Sequence, residues 1–432
     1  MLKKLLALAL ALSLLLTSCA APQVSQSISD AAPAADAPAD PTVPMQRVAY
    51  RAQLAEQPIE PLPDNFVQGI NSLGFHTAPL LFNESGNLAF SPASLALALC
   101  LTREGAGGDT KSGITKTLGL SDLTDEQIRN ASRSLMWRAN TGGMEAANAV
   151  WLSQDCAFSE PFLTAAMQYY FADAYPLVSP GTKDAVNAWV SEKTHERIKS
   201  MLEDEVDNAT PILLMGALTF LGDWELPFAA SDTADGDFAA PDGSVSVPFM
   251  GSERFVPYYA DKNFSMVSLP FKSEDGSGQY AMAFILPAKG KSLERVLSRL
   301  DADTFKEALA EAQEQTVSIR LPKFGFEYFA ELRDTLSAQG MGQMFTREAD
   351  FSAMTEQPGG IFFTDVLHKC YVRVDELGAE AAAATVIMNR LGAAEQTTEL
   401  PQFNADRPFL FAIYSLEDGA IAFLGAVNNP AK

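Results

Sequence analysis

Apolar residues recur along this chain with two periods, and each period predicts a different element. Phe66, Ile70 and Leu73 fall on one face of a helix, as do Val186, Trp189, Val190 and the stem of Lys193 in a second. Ser91 and Pro92 have the chemistry of an N-cap and a first helical residue, and LALALCL after them leaves no polar face, so that helix must be buried. Ile114 and Leu118 share another helical face, which Gly119 closes as a C-cap. Strand-like runs then dominate: Ile212 to Leu221, Tyr280 to Leu286, Thr316 to Leu321, Val366 to Val374, Phe409 to Tyr414 and Ile421 to Val427. Glu417, Asp418 and Gly419 supply a hairpin turn between the last two. Helices early and strands late predict an α+β architecture. With no second linker and no internal repeat, residues 64–432 read as one large globular unit.

One segment fits neither period. Asp375 to Thr385 reads DELGAEAAAAT, between the alternating strand Tyr371 to Val374 and the run RPFLFAI at Arg407 to Ile413. It is a long loop strung between two strands. If residues 378–391 enter a sheet, Ala379, Ala381, Ala383, Thr385 and Ile387 face one side, all small or apolar. The other side carries Glu380, Ala382, Ala384, Val386, Met388 and Arg390. Only the first set suits a crowded interior, because burying Glu380 and Arg390 unpaired costs several kcal/mol. Gly378, without a side chain, supplies the backbone freedom of a hinge.

The order HKCYVRVDELGAEAAAAT, FNADRPFLFAIYS, IAFLGAVNNP resembles the carboxy-terminal signature of the serpins, the serine protease inhibitor family with a bait loop. NLAFSPASLALAL (Asn87 to Leu99), ANAVW (Ala147 to Trp151), NAWVSEKTHERI (Asn187 to Ile198), PKF (Pro322 to Phe324) and ADFSAM (Ala349 to Met354) continue the match in the family's order. The resemblance implies three β-sheets with about nine helices, and an exposed reactive loop at about residues 376–402. It implies a hinge at Glu376, Gly378, Ala379, Glu380, Ala381, Ala382, Ala383, Ala384 and Thr385. It also implies a sheet-opening region at Ser91, Ser94, Trp224, Lys323 and His368, with Lys323 able to pair with Glu376. One departure stands out. The family commonly has asparagine where LLMGALTFLGDW carries Gly216, which puts one bond near His368 in doubt.

The same resemblance implies a protein that traps serine proteases, needs no cofactor and is not an enzyme. Counting sixteen residues on from Glu376 puts the scissile bond at Gly392–Ala393, with Leu391 and Arg390 as alternative cleavage residues. Gly392 or Leu391 favours elastase-like or subtilisin-like proteases, whereas Arg390 would suit trypsin. Chemistry elsewhere is sparse. The three histidines form no HExxH, there is no GxSxG elbow, and no cysteines pair at metal spacing. His195-Glu196 reads as a solvated helix face, and GAGGDT at Gly105 to Thr110 as a glycine turn capped by Asp109.

The formal charge is −23, which argues against nucleic acid as a partner. Residues 1–18 read as a lipoprotein signal peptide: Lys3 and Lys4, an apolar run Leu5 to Leu16, then Thr17, Ser18 and Cys19. A lipidated Cys19 would hold the chain, as a monomer, on the outer side of a bacterial cell membrane, with residues 19–63 a disordered Ala/Pro-rich stalk. Cys100, Cys156 and Cys370 then remain, an odd number that suits buried apolar residues better than a disulfide framework. A non-inhibitory serpin and a lipid-anchored solute-binding protein are the alternative readings.

Overall fold

The buried helix predicted after Ser91 is the centre of the molecule. In the computed structural model, which describes residues 60–141, 144–178, 180–207, 210–272, 280–356, 360–379 and 400–432, every residue of this helix is buried. Ser91 caps it through its side chain, which accepts the Ser94 N–H, and Pro92 opens it. The helices are α1 (Asp64–Leu81), α2 (Pro92–Gly105), α3 (Gly108–Thr117), α4 (Asp125–Thr141), α5 (Glu160–Tyr170), α6 (Thr182–Lys193), α7 (Leu293–Leu297), α8 (Ala302–Glu311) and α9 (Arg333–Leu336).

The first strands are β1 (Leu88–Phe90), β2 (Met144–Ser153), β3 (Asp173–Leu177), β4 (Ile212–Phe220), β5 (Gly222–Asp223), β6 (Thr233–Ala240), β7 (Gly243–Ala260) and β8 (Phe264–Pro270). They continue with β9 (Tyr280–Pro287), β10 (Gln313–Pro322), β11 (Phe324–Glu331), β12 (Phe363–Val374), β13 (Gly378–Ala379), β14 (Gln402–Asn404), β15 (Phe409–Ser415) and β16 (Ile421–Val427). Five of them form a sheet in the order β11-β12-β4-β2-β3. Its centre is unusual: β12 and β4 are parallel neighbours, while β11 and β2 flank them antiparallel. A second path runs β1-β16-β15-β9-β8-β7-β10-β14, with β6 on β7. The 18-residue β7 carries β6 and β10 along its length and β8 at its end, so two of the expected three sheets are continuous through it.

Several local expectations need correction. Asp109 does not cap α3; the cap is Gly107, and Asp109 lies in the first turn, where its charge complements the helix N-terminus. Gly119 lies one residue past the cap Leu118, with φ +68°, a conformation that suits glycine. His195 and Glu196 leave the end of α6 with φ +48° and +63°, so they form a turn rather than a helix face, and His195 Nδ1 lies 2.6 Å from Glu145. Cys156 is half-buried, whereas Cys100 and Cys370 are core residues. Leu62, read as stalk, is buried against the domain, and the Glu60 N–H donates to Ser134 Oγ at 3.1 Å. The folded unit therefore takes in the last residues of the predicted stalk.

Candidate functional site

At the upper end of β12 the chain reverses. The Asp375 N–H donates to the Gly378 carbonyl at 3.0 Å, and Asp375 Oδ1 accepts the Leu377 N–H at 2.9 Å. The reversal brings Gly378 opposite Asp223 and Ala379 opposite Gly222 as the antiparallel pair β13–β5. Since β5 follows β4 with one residue between them, the hinge bridges the ends of the two parallel strands. Ala379 is buried there, as is Gly378. Glu380, Ala381, Ala382, Ala383, Ala384 and Thr385, the cleavage candidates Arg390, Leu391, Gly392 and Ala393, and Cys19 lie outside the described residues.

The turn is held from one side by the segment after β5. The Trp224 N–H donates to the Leu377 carbonyl at 2.7 Å, its indole N–H to the Asp375 carbonyl at 3.0 Å, and its ring stacks on Phe271 with centroids 4.6 Å apart. The Phe228 N–H donates to the Glu376 carbonyl at 2.8 Å. The Glu376 carboxylate accepts from Lys323 Nζ at 2.7 Å and from Thr233 Oγ1 at 2.9 Å. Burial alone would raise the pKa of Glu376, but these donors and the backbone outweigh it and hold the carboxyl below its ordinary value.

Lower in the sheet, Asn148 of β2, Gly216 of β4 and His368 of β12 form one row across three strands. His368 Nε2 accepts the Ser91 N–H at 3.0 Å, which ties β12 to the start of α2. Cys370 Sγ lies 3.2 Å from the same nitrogen. Burial pushes His368 down to about 4, so the ring is neutral, and the accepting Nε2 fixes the proton on Nδ1. A Cβ on Gly216 would lie 3.2 Å from Asn148 Oδ1, 3.2 Å from His368 Nδ1 and 3.3 Å from Ser94 Oγ. The space where the family commonly has asparagine is thus bordered by the amide of Asn148, which reaches in from the adjacent strand and accepts from Ser94 Oγ at 3.5 Å. Its Nδ2 has no partner among the described residues.

Sequence reasoning missed Asn148, Phe228 and Thr233. The signal for Asn148 was present: an asparagine inside the apolar run ANAVWL is a polar group that a buried strand must satisfy. Phe228 acts through a backbone N–H on an irregular segment and Thr233 through its hydroxyl at the first residue of β6, and nothing in their sequence marks them.

A family model described as serpin (serine protease inhibitor) matches residues 68–430. An uncharacterised serpin-like protein of Thermococcus kodakarensis is 32% identical over 372 residues, covering 84% of this chain and 85% of that protein. Serpin-Z1C of Triticum aestivum is 33% identical over 364 residues, covering 80% of this chain and 90% of its own. The crystal structure of tengpin, a thermophilic serpin in the native state, superposes with a TM-score of 0.79 at 26% identity over 86% of this chain and 96% of that one. These matches set aside a solute-binding protein. Serpins are generally protease inhibitors rather than enzymes, and some are non-inhibitory. The chain belongs to the serpin family.

Proposed function

We propose that this serpin inhibits serine proteases of elastase-like or subtilisin-like preference as a suicide substrate, held at the outer side of a bacterial membrane by lipidated Cys19. The observation that carries the reading is the parallel pair β4 and β12 with the hinge already paired at its upper end. A strand continuing from β13 down this seam would run antiparallel to both neighbours, the arrangement in which ladder hydrogen bonds are short and direct.

The chemistry belongs to the target. Its serine hydroxyl adds to the Gly392 carbonyl, the bond to Ala393 breaks, and the new amine of Ala393 leaves with a proton. What remains is an ester between the protease and Gly392. Before water cleaves that ester, the freed loop inserts between β4 and β12. Some fifteen residues at about 3.3 Å each carry the protease roughly 50 Å, and distortion of its active site traps the ester. The row Ala379, Ala381, Ala383, Thr385 and Ile387 suits the inner face of the filled seam.

Incubation with a panel of serine proteases tests this. The expected result is a detergent-stable complex and a released peptide that begins at Ala393. Ala381→Pro, which removes a ladder N–H donor, should yield cleavage without the complex. Cleavage of the wild type with no complex would make the protein a non-inhibitory serpin, and a released peptide beginning at Leu391 would make it a trypsin-type inhibitor.

A further inference from the structure

Arg254, in β7, is 6% exposed and forms no ion pair among the described residues. Its Nη1 donates to the Leu226 carbonyl, its guanidinium carbon lies 3.7 Å from the centroid of the Phe228 ring, and Nε and Nη2 bond nothing among the described residues. Burial lowers its pKa to about 10, which leaves it charged at neutral pH. A charge buried without a counter-ion is costly, and replacement by an apolar side chain of similar size is often neutral or stabilising. The fold alone gives no reason for this arginine.

Its two contacts give one. Leu226 and Phe228 lie on residues 225–229, a stretch with no helix or strand between β5 and Ala230. This stretch seats the hinge: the Phe228 N–H holds the Glu376 carbonyl, and the Trp224 N–H, just before it, holds the Leu377 carbonyl. The Glu225 N–H ties the front of this stretch to the Pro270 carbonyl at 3.0 Å, but residues 226–228 beyond it have no ladder, and the Phe228 donor stays aimed only if something fixes them from behind. The guanidinium does so at two points, a carbonyl and a ring, while Leu226 itself remains exposed.

We propose that Arg254 is a positioning residue that pins residues 226–228, so that the hinge stays seated at the top of the seam until the loop is cut. The consequence for inhibition rests on the insertion reading above; the clamp itself does not. Removing it should let the hinge leave its seat and the uncleaved loop enter the seam spontaneously, which consumes inhibitor without trapping a protease.

Hydrogen exchange on the uncleaved full-length chain tests the clamp directly, with Arg254→Met and Arg254→Lys against wild type. Methionine should speed exchange at the Trp224 and Phe228 amides by about tenfold or more while leaving β15 and β16 unchanged. It should shorten the lifetime of the uncleaved form severalfold, yet leave the melting temperature of the loop-cleaved form equal or higher. Lysine, which keeps a charge and a donor, should fall between. Should the methionine variant fail to fold, Phe228→Leu removes the ring from under the guanidinium and should raise exchange at the same two amides. Unchanged exchange there, or an equal rise throughout β15 and β16, would overturn the proposal. Exchange needs no protease, so a wild-type protein that traps none would sink the inhibitory reading while the clamp is judged on its own.

Discussion

A Cβ on Gly378 would fall 2.0 Å from the carbonyl oxygen of Gly222 and 2.7 Å from Cα of Asp223. Both atoms are backbone, so no rotamer change makes room. The first rung of the hinge exists because residue 378 has no side chain, and Gly222 is constrained in turn by Phe220 and Phe271, which a Cβ there would meet at 2.7 and 2.8 Å.

Gly378→Ala should therefore separate β13 from β5 in the uncleaved protein. As with removal of the Arg254 clamp, an unseated hinge lets the uncleaved loop enter the seam before any protease arrives. The half-life of trapping capacity in the uncleaved protein should fall about tenfold, equivalent to about 1.4 kcal/mol off the barrier. Complex formed after timed storage without protease measures it; an unchanged half-life would mean that the β13–β5 rung does not hold the loop out of the seam.

The pairing of Gly378 with Asp223 and Ala379 with Gly222 also sets a register. Continued down β4, it brings Thr385 opposite Gly216, into the row of Asn148 and His368. The threonine hydroxyl would then meet a buried polar cluster in which Asn148 Nδ2 has no partner among the described residues. Thr385→Val, which keeps the shape and removes the hydroxyl, should destabilise the cleaved form by about 1–2 kcal/mol and leave the intact form unchanged. Denaturant unfolding of both forms checks this, and equal losses in the two would rule out the register.

Much of this was legible in the sequence, for reasons that differ by region. Ser91 and Pro92 announced α2 because cap chemistry and an unbroken apolar run are local signals. The six predicted strands appear within a few residues because alternation and turns are local as well. The reversal that seats Glu376 beside Lys323, Thr233 and Phe228 was only partly readable, since it joins residues from distant parts of the chain. Gly216 raised a doubt from one strand alone. The answer lay on the neighbouring strand, where Asn148 faces it, and pairing register is not written in either strand by itself. Arg254 gave no sign at all: an arginine in a strand reads as solvent-facing until the packing is known.

His368 makes stability depend on pH. Its pKa is about 4 in the folded protein, from burial, against an ordinary 6.5. The unfolded chain therefore takes up the proton first, so the stability linked to the neutral ring is full above pH 6.5 and declines as pH falls toward 4. Protonation would also remove the acceptor for the Ser91 N–H, at a helix N-terminus where positive charge is disfavoured. Wild type should lose about 2 kcal/mol more than His368→Gln between pH 7.5 and 5. Equal slopes for the two proteins in denaturant unfolding would contradict this.

The anchor is tested apart from inhibition. Cys19→Ala should move the protein from the membrane fraction to the medium or block its processing, with trapping by the released domain unaltered. Equal membrane retention of the two forms would remove the lipid from the account.

The central claim is that β4 and β12 must separate for the protease to be trapped. Ala217 and Lys369 are paired across these strands, close enough for a disulfide. The described cysteines Cys100, Cys156 and Cys370 are free, so a reductant breaks no native bridge among them. Ala217→Cys with Lys369→Cys gives a sheet that can be locked and released, for the loss of the part-exposed ion pair of Lys369 with Glu327 and its hydrogen bond to the Ser200 carbonyl. The measurement is covalent complex formed with one serine protease before and after reduction. The account predicts that the oxidised protein is cleaved and released while the reduced protein traps its target; an oxidised protein that traps as well as the reduced one would contradict it.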